Sequence, residues 1–519
     1  MKTKIWMCFI AVASLTALTI PASLAAQAAP EGSKHHHYKL IDIGTFPGRS
    51  VYNMRVTSNG SVVNEFEQML NDHGTVVGGA DTPFLNPYGC YSAFYQAVEC
   101  YVQHAFAWQN GNLTDLGTLP GGSASFAYFI SDNGLITGGS ENGAFDPNSG
   151  NPVAHGVLWS NGTITDLGTL GGASSLGAGV NDSGQVAGFT QNAISDPFSI
   201  LGGTQTRAFL WQSGEMYDLG TLGGPDAFGQ YVNNNGQVAG VSYTSYTADP
   251  NTGLPPLHPF LWEKGKGMKD VGNFGGTNDF LGPFISGLNN RGEVIGTMAL
   301  AGDQIDHAFL WDGEKLSDLQ TFGGSYSFAN GLNDAGEVVG QSTLPGDQVQ
   351  HAFLWRNGAM TDLGTVHGDP CSIAGSLNSK AQVTGASQSA AGGCNLYTSA
   401  LLWENGSPGV DLNSLVPPHS PLLLTSAGWI NDRGEITARG VPFGCGDGDT
   451  CGHAALLIPC DQNHPGLEGC DYSLVDAATE AEPDSAPITQ SVPVTNENVR
   501  SRMMRRGYPN LSLGIGRQK

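Results

Sequence analysis

The chain has 519 residues, of which 74 are glycine and only 13% are charged, and its formal net charge is −24. So acidic a balance excludes a basic face for nucleic acid and electrostatic docking on an anionic membrane; it favours solubility and, at most, an affinity for cations. The length alone implies several domains, unless the chain is a repeat, and many glycines among short apolar runs point to β-structure rich in tight turns.

Residues 1–28 read as a secretory signal peptide. Lys2 and Lys4 form a basic start, an apolar run extends from Ile5 to about Ile20, and small residues lead to Ala26-Gln-Ala28. That run is short for a membrane span, and no second run of spanning length follows. The processed chain is therefore expected to lack a transmembrane segment. Residues 29–37 form a polar segment. It carries His35, His36 and His37, which have the chemistry to capture metal but lie near the processed N-terminus, where order is not expected.

From residue 38 the sequence repeats. Seven tryptophans mark the period at 44 to 52 residues: Trp108, Trp159, Trp211, Trp262, Trp311, Trp355 and Trp403. Each closes a short apolar run, most of which begin with histidine: His104, His155, His258, His307 and His351. His453-Ala-Ala-Leu-Leu457 is a degenerate eighth copy. After most tryptophans comes a turn such as Asn110-Gly111, a strong hairpin signal because both residues accept positive φ. The following run ends in Asp-Leu-Gly or a variant, at Asp115, Asp166, Asp218, Asp270, Asp318 and Asp362, with Asp42 and Asp411 as outlying copies. A Gly-Gly loop follows in most copies. A further run then ends in Asn-Asp-x-Gly and leads into Gln-Val-Ala-Gly or Glu-Val-Val-Gly.

Each unit thus holds four short strands: A (to Asn-Asp), B (Val-Val-Gly), C (His-Ala-Phe-Leu-Trp) and D (to Asp-Leu-Gly). A repeated four-stranded antiparallel meander is the blade of a β-propeller. The ends support closure. The processed chain opens with a lone D strand, Tyr38 to Gly44, and the last unit has A, B and C but no D. The spare strand is predicted to complete the last blade and remove an exposed edge. Counting A strands predicts an all-β propeller of eight blades over residues 38–459. Seven is the alternative if the irregular unit from Ser50 to Trp108 is an insertion.

Residues 460–475 read as a stapled extension. Residues 476–519 read as a disordered tail, rich first in Ala, Glu, Pro, Ser and Thr and then in arginine at Arg500, Arg502, Arg505 and Arg506. Outside the leader, eight cysteines fall in local couples: Cys90 with Cys100, Cys371 with Cys394, Cys445 with Cys451, and Cys460 with Cys470. An exported chain meets an oxidising compartment, so these are expected disulfides. Zinc fits less well, because the couples lack Cys-x-x-Cys spacing and matching histidine pairs.

His-Ala-Phe-Leu-Trp, then Asp-Leu-Gly-Thr-Leu-Gly-Gly, then Asn-Asp-x-Gly-x-Val-Val-Gly resembles the bacterial extracellular HAF repeats. The resemblance covers about residues 38 to 459. It implies an exported bacterial repeat protein, secreted or at the cell surface, and assigns no chemistry. Arg207 and Ser399 depart from it in place of the leading histidine. Gln320 and Asn413 replace the glycine of Asp-Leu-Gly, and Val271 replaces its leucine.

The repeated aspartates are too numerous for one active site. A carboxylate at a strand end accepts backbone N–H groups and fixes a turn, and the repeated histidines are expected to hydrogen-bond a neighbouring strand or blade. No catalytic residue is assigned. The candidate calcium ligands are Asp447 and Asp449, held close inside the Cys445–Cys451 loop. Glu65 and Glu67 are candidate acids in the irregular first unit. Two functions from different classes follow. One is a non-enzymatic module that binds an extracellular protein or glycan through the long B–C loops of consecutive units, Ser140 to Ala154, Thr190 to Thr206 and Ser242 to Leu257. The other is an extracellular propeller hydrolase or lyase acting on a polysaccharide.

Overall fold

The computed structural model describes residues 34–44, 46, 51–52, 55–56, 62–63, 68–86, 101–147, 150–199, 201, 203–250, 253–276, 284–389, 394, 396–404, 408–445 and 452–476. Its strands assemble into eight four-stranded antiparallel sheets, seven of them in the sequential order A-B-C-D. In blade 2 these strands are Ser125–Ile130, Ile136–Phe145, Pro152–Ser160 and Thr163–Asp166. Neighbouring blades pack on one another around the whole ring. The protein is an eight-bladed β-propeller.

Blade 8 closes the ring. Its A, B and C strands are Leu422–Ile430, Ile436–Pro442 and His453–Pro459, and its D strand is Tyr38–Asp42. Tyr38 lies opposite Pro459 and Asp42 opposite Ala455. The irregular first unit is a true blade: Val51–Tyr52 pairs with Gly79–Ala80, and Leu70 bridges to Val76. Its four-stranded sheet is complete, so the irregular unit does not remove a blade.

Local chemistry explains the B and C motifs. In blade 4, strand A (Ala227–Val232) bulges between Gly229 and Tyr231 opposite strand B (Val238–Tyr243). The bulge aims the Phe228 carbonyl at Gly240, where a Cβ would sit 1.9 Å from that oxygen and 2.9 Å from the Phe260 ring. Gly340 meets Phe328 and Phe353 in the same way. The glycine of Val-Val-Gly is therefore demanded by a bulge on one side and the phenylalanine of His-Ala-Phe on the other. Phe106, Phe209, Phe260, Phe309 and Phe353 are fully buried, each contributing roughly 1.5–3 kcal/mol. The tryptophans reach backwards. Trp159 Nε1 donates to the Leu116 carbonyl of blade 1 at 3.0 Å, and Trp403 Nε1 to the Leu363 carbonyl of blade 6 at 2.9 Å. The Lys269 ammonium of blade 4 lies 4.9 Å from the centre of the Trp311 ring of blade 5. These contacts join strand C of one blade to strand D of the blade before it.

One boundary differs from expectation. Lys34–His36 is a strand paired with Leu474–Asp476, so the polar N-terminal segment and the stapled extension meet. His35 is buried, with Nδ1 2.8 Å from the Glu404 carboxylate. It is held by a hydrogen-bonding partner on blade 7 and is not a loose metal-capturing group. The reason is tertiary: ring closure brings the Lys34–His36 strand beside Glu404.

Candidate functional site

An antiparallel meander sends its A–B and C–D turns to one face of the disc and its B–C and D–A connections to the other. The two faces differ in chemistry.

On the first face the Asn-Asp-x-Gly turns surround the channel mouth and bond to one another. The Asn side chain accepts its own turn's N–H groups: Asn233 Oδ1 takes those of Asn235 and Gln237 at 3.1 and 3.0 Å. Its Nδ2 donates to the next blade. Asn181 reaches the Asn233 carbonyl, Asn233 reaches Asn289, Asn289 reaches Asn333, Asn333 reaches Asn378, Asn378 reaches Asn431, and Asn431 reaches Asn71, at 2.9 to 3.1 Å. Asn71 donates to the Ser131 carbonyl at 3.1 Å. Ser131 has no amide with which to pass the chain on. The next turn residue repeats the device. The Asp72 N–H donates to Asp132, the Asp182 N–H to Asn234, and the Asp432 N–H to Asp72, at 3.1, 3.1 and 2.9 Å. Burial pushes Asp132 above the usual aspartate value, as do the carboxylates of Asp72 and Asp182, against the opposing amide of Asp72. Behind this mouth the channel is a cavity of about 270 Å³, lined along strand A by Gln68, Phe129, Tyr231, Ser286, Asn330 and Trp429 among others.

The repeated histidine and aspartate form a staple at the far end of strands C and D. His104, His155, His258, His307 and His351 place Nδ1 2.9 to 3.1 Å from Asp115, Asp166, Asp270, Asp318 and Asp362. His453 does the same to Asp42 at 2.9 Å, across the ring closure. The same carboxylate accepts the amide two residues on, as Asp115 does from Gly117 at 2.8 Å. Partial burial works to raise these carboxyls. The histidine hydrogen bond, the backbone amide and the histidine charge outweigh it, and all six lie below the ordinary value. Arg207 substitutes for histidine on Asp218, with Nε 3.0 Å away. In blade 7, where Ser399 stands in the histidine position, His367 from the preceding loop lies 2.9 Å from Asp411 instead. The pair is thus rebuilt from a residue outside the motif, which the repeat alone gave no reason to single out.

On the second face the Gly-Gly loops lie against the B–C loops. A Cβ on Gly122 would sit 1.8 Å from the Glu141 carbonyl, so the loop can pass only as glycine. The long B–C connections are extended bulged hairpins, with Ser140 opposite His155 and Phe145 opposite Pro152 in blade 2. Their tips carry exposed apolar side chains: Phe443 on blade 8, Phe84 and Leu85 on blade 1, Phe145 on blade 2, Ile194 on blade 3, Tyr246 on blade 4 and Ile305 on blade 5. These six blades are consecutive around the ring. Their B–C connections hold seven of the eleven large hydrophobics that stand exposed among the described residues; the others are Tyr217 on strand D of blade 3, Leu423 on strand A of blade 8, Tyr472 and Leu474.

Of the predicted disulfides, Cys371 bonds to Cys394 and Cys460 to Cys470. Cys445 is also disulfide-bonded. Cys90, Cys100, Cys451, Asp447, Asp449, Glu65 and Glu67 lie outside the described residues. No described helix is long and apolar enough to cross a membrane.

No family model and no curated protein matches the chain. Several solved structures resemble it. The acylaminoacyl peptidase of Pyrococcus horikoshii is 11% identical, with a TM-score of 0.37 over 73% of this chain and 58% of that one. TolB from Acinetobacter baumannii is 11% identical, with a TM-score of 0.27 over 55% and 60%. XC5397 from Xanthomonas campestris, a gluconolactonase, is 13% identical, with a TM-score of 0.24 over 63% and 89%. The chain thus spans less than two thirds of the first two. At these identities the likeness is one of fold alone.

Proposed function

We propose that this protein is an exported, non-enzymatic binding module that holds an extracellular polysaccharide across the B–C rim of blades 8 and 1 to 5. The observation that supports the reading is the concentration of exposed apolar side chains on that rim. Phe84 is 70% exposed and Phe443 74%, and neither has a packing role that explains its retention in water. Four of the seven are aromatic rings, set in loops of Asn, Ser, Thr and Asp, a combination that stacks on sugar faces and hydrogen-bonds their hydroxyls. The repeated polar groups, by contrast, are already occupied as turn caps and staples. The leader-like N-terminus, the disulfides and the resemblance to HAF repeats support a place outside the cytoplasm.

Retention of the purified protein on cellulose, chitin and peptidoglycan tests the proposal. Retention on one of them that is lost in Phe145→Ser/Tyr246→Ser, with an unchanged melting curve, supports it. Retention indifferent to both substitutions, or absent from all three polymers, overturns it. Release of soluble sugar by the wild-type protein would establish the hydrolase or lyase alternative instead.

A further inference from the structure

The apolar rim carries charge of one sign. The eight B–C connections span residues 80–101, 140–154, 190–206, 242–257, 299–306, 343–350, 389–396 and 442–453, and none of them holds a lysine or an arginine. Seven of the eight hold at least one aspartate or glutamate. In the D–A connections, which share this face, Arg49 is the one lysine or arginine. The opposite face is mixed. Arg291, Lys380 and Arg433 lie on its A–B turns, and Lys264, Lys315 and Arg356 on its C–D turns. Loops of common origin have thus kept bases on one side of the disc and none at the tips of the other.

The acid stands beside the exposed apolar tips. Asp146 directly follows Phe145, Asp249 lies three residues after Tyr246, and Asp303 and Asp306 bracket Ile305. All four aspartates are part-exposed, and Phe145, Tyr246 and Ile305 are exposed. Partial burial and then the charge of Asp303 push the Asp306 carboxyl up to about 6, against the charge of His307. The strand C bases next to these loops already face strand D: His307 Nδ1 lies 2.9 Å from Asp318, and Arg207 Nε 3.0 Å from Asp218.

An aromatic ring offers its face to the C–H side of a sugar, and the charge beside it selects among sugars. The asparagine, serine and threonine of these loops suffice for hydroxyl groups. Acid without base adds a preference for positive charge, and it repels a uronate or sulfated chain. One exposed carboxylate–ammonium pair is weak and screened by salt, but pairs repeated along a polymer that crosses several blades reinforce one another. We propose that the polymer held on this rim is an amino-sugar chain that carries free ammonium groups, of the kind made by partial deacetylation of chitin. This assignment rests on the reading of the rim as a polysaccharide site and adds the charge of the ligand to it.

Retention of the purified protein on chitin, on chitosan prepared from it, and on the same chitosan acetylated again tests that charge. Retention should be about tenfold stronger on chitosan than on chitin, reversed by acetylation and weakened by salt. An acidic protein adheres to many polycations, so two variants that each lose three charges are compared. Asp146→Asn/Asp249→Asn/Asp303→Asn, on the rim, should lower retention on chitosan about tenfold with an unchanged melting curve. Glu215→Gln/Glu314→Gln/Glu468→Gln removes exposed carboxylates away from the rim, and should lower it less than about twofold. Calorimetry on the wild-type chain needs no variant: soluble glucosamine oligomers should bind more tightly than N-acetylglucosamine oligomers. Equal losses in the two variants, or no preference for the free amine in either measurement, overturn the assignment. Equal retention on chitin and chitosan does so while leaving the polysaccharide reading in place, whereas retention indifferent to Phe145→Ser/Tyr246→Ser overturns that reading. Capture of poly-lysine without retention on chitosan would give the face to a basic protein and overturn the assignment as well.

Discussion

The two faces of the disc are built from the same strands and differ in what is left over. On the channel-mouth face the turn asparagines are used from blade to blade. Asn431 bonds to Asn71 across the closure, and the turns form a near-continuous necklace. On the opposite face the Gly-Gly loops hold the B–C hairpins in place, but the hairpin tips end in apolar side chains facing water. A surface bonded to its own neighbours keeps its sequence uniform for structural reasons. Loop tips that stand beyond the staples and face water are free to vary and to bind.

The contrast can be broken at the uniform side first. Gly340→Val drives a side chain into the Phe328 carbonyl and should cost about 3 kcal/mol or more in urea unfolding. Asn431→Ala removes the bond across the closure to the Asn71 carbonyl and leaves two turn amides, those of Arg433 and Glu435, without their acceptor, and should cost about 1–3 kcal/mol in the same assay.

Acid should act next, through the staples. The six histidine-paired aspartates lie below the ordinary value of 3.8. A lowered folded value means that their stabilisation is complete above 3.8 and is lost as pH falls through the lower folded values. Denaturation midpoints should therefore drop below about pH 3.8, and less so in a variant with Asp115, Asp166, Asp270 and Asp362 all changed to Asn. An identical acid limb in that variant would remove the staples from the account.

Ser131 sharpens the comparison from the other direction. It is the one natural gap in the necklace, and Ser131→Asn should close it and add about 1 kcal/mol. The smallest stability effect belongs to the other face. Phe145→Ser should change unfolding by no more than about 0.5 kcal/mol, although retention on polymer is where its effect is expected.

Much of the molecule was legible as pattern. The Trp spacing, the Asn-Gly turns and the orphan D strand at Tyr38–Asp42 led to blades and closure, because each reflects short-range rules of twist and turn that act wherever the segment is placed. The histidine at 104 and the aspartate at 115 were legible as structural for the same reason: their recurrence outnumbers any single site. His367 was not, because its place beside Asp411 exists only after blades 6 and 7 are packed. His35 was misread as loose for a similar reason, since its partner Glu404 lies 369 residues away.

The sequence by itself determined the repeating unit, its four strands and the way the ends join, because hairpin turns, bulge glycines and strand alternation are local demands. Only the tertiary structure decided which residues share a face, which turns join into the necklace, and that His367 stands beside Asp411 and His35 beside Glu404. Those relations depend on the ring, which sets residues distant in sequence side by side, and no rule of sequence spacing registers a distance across the interface between blades.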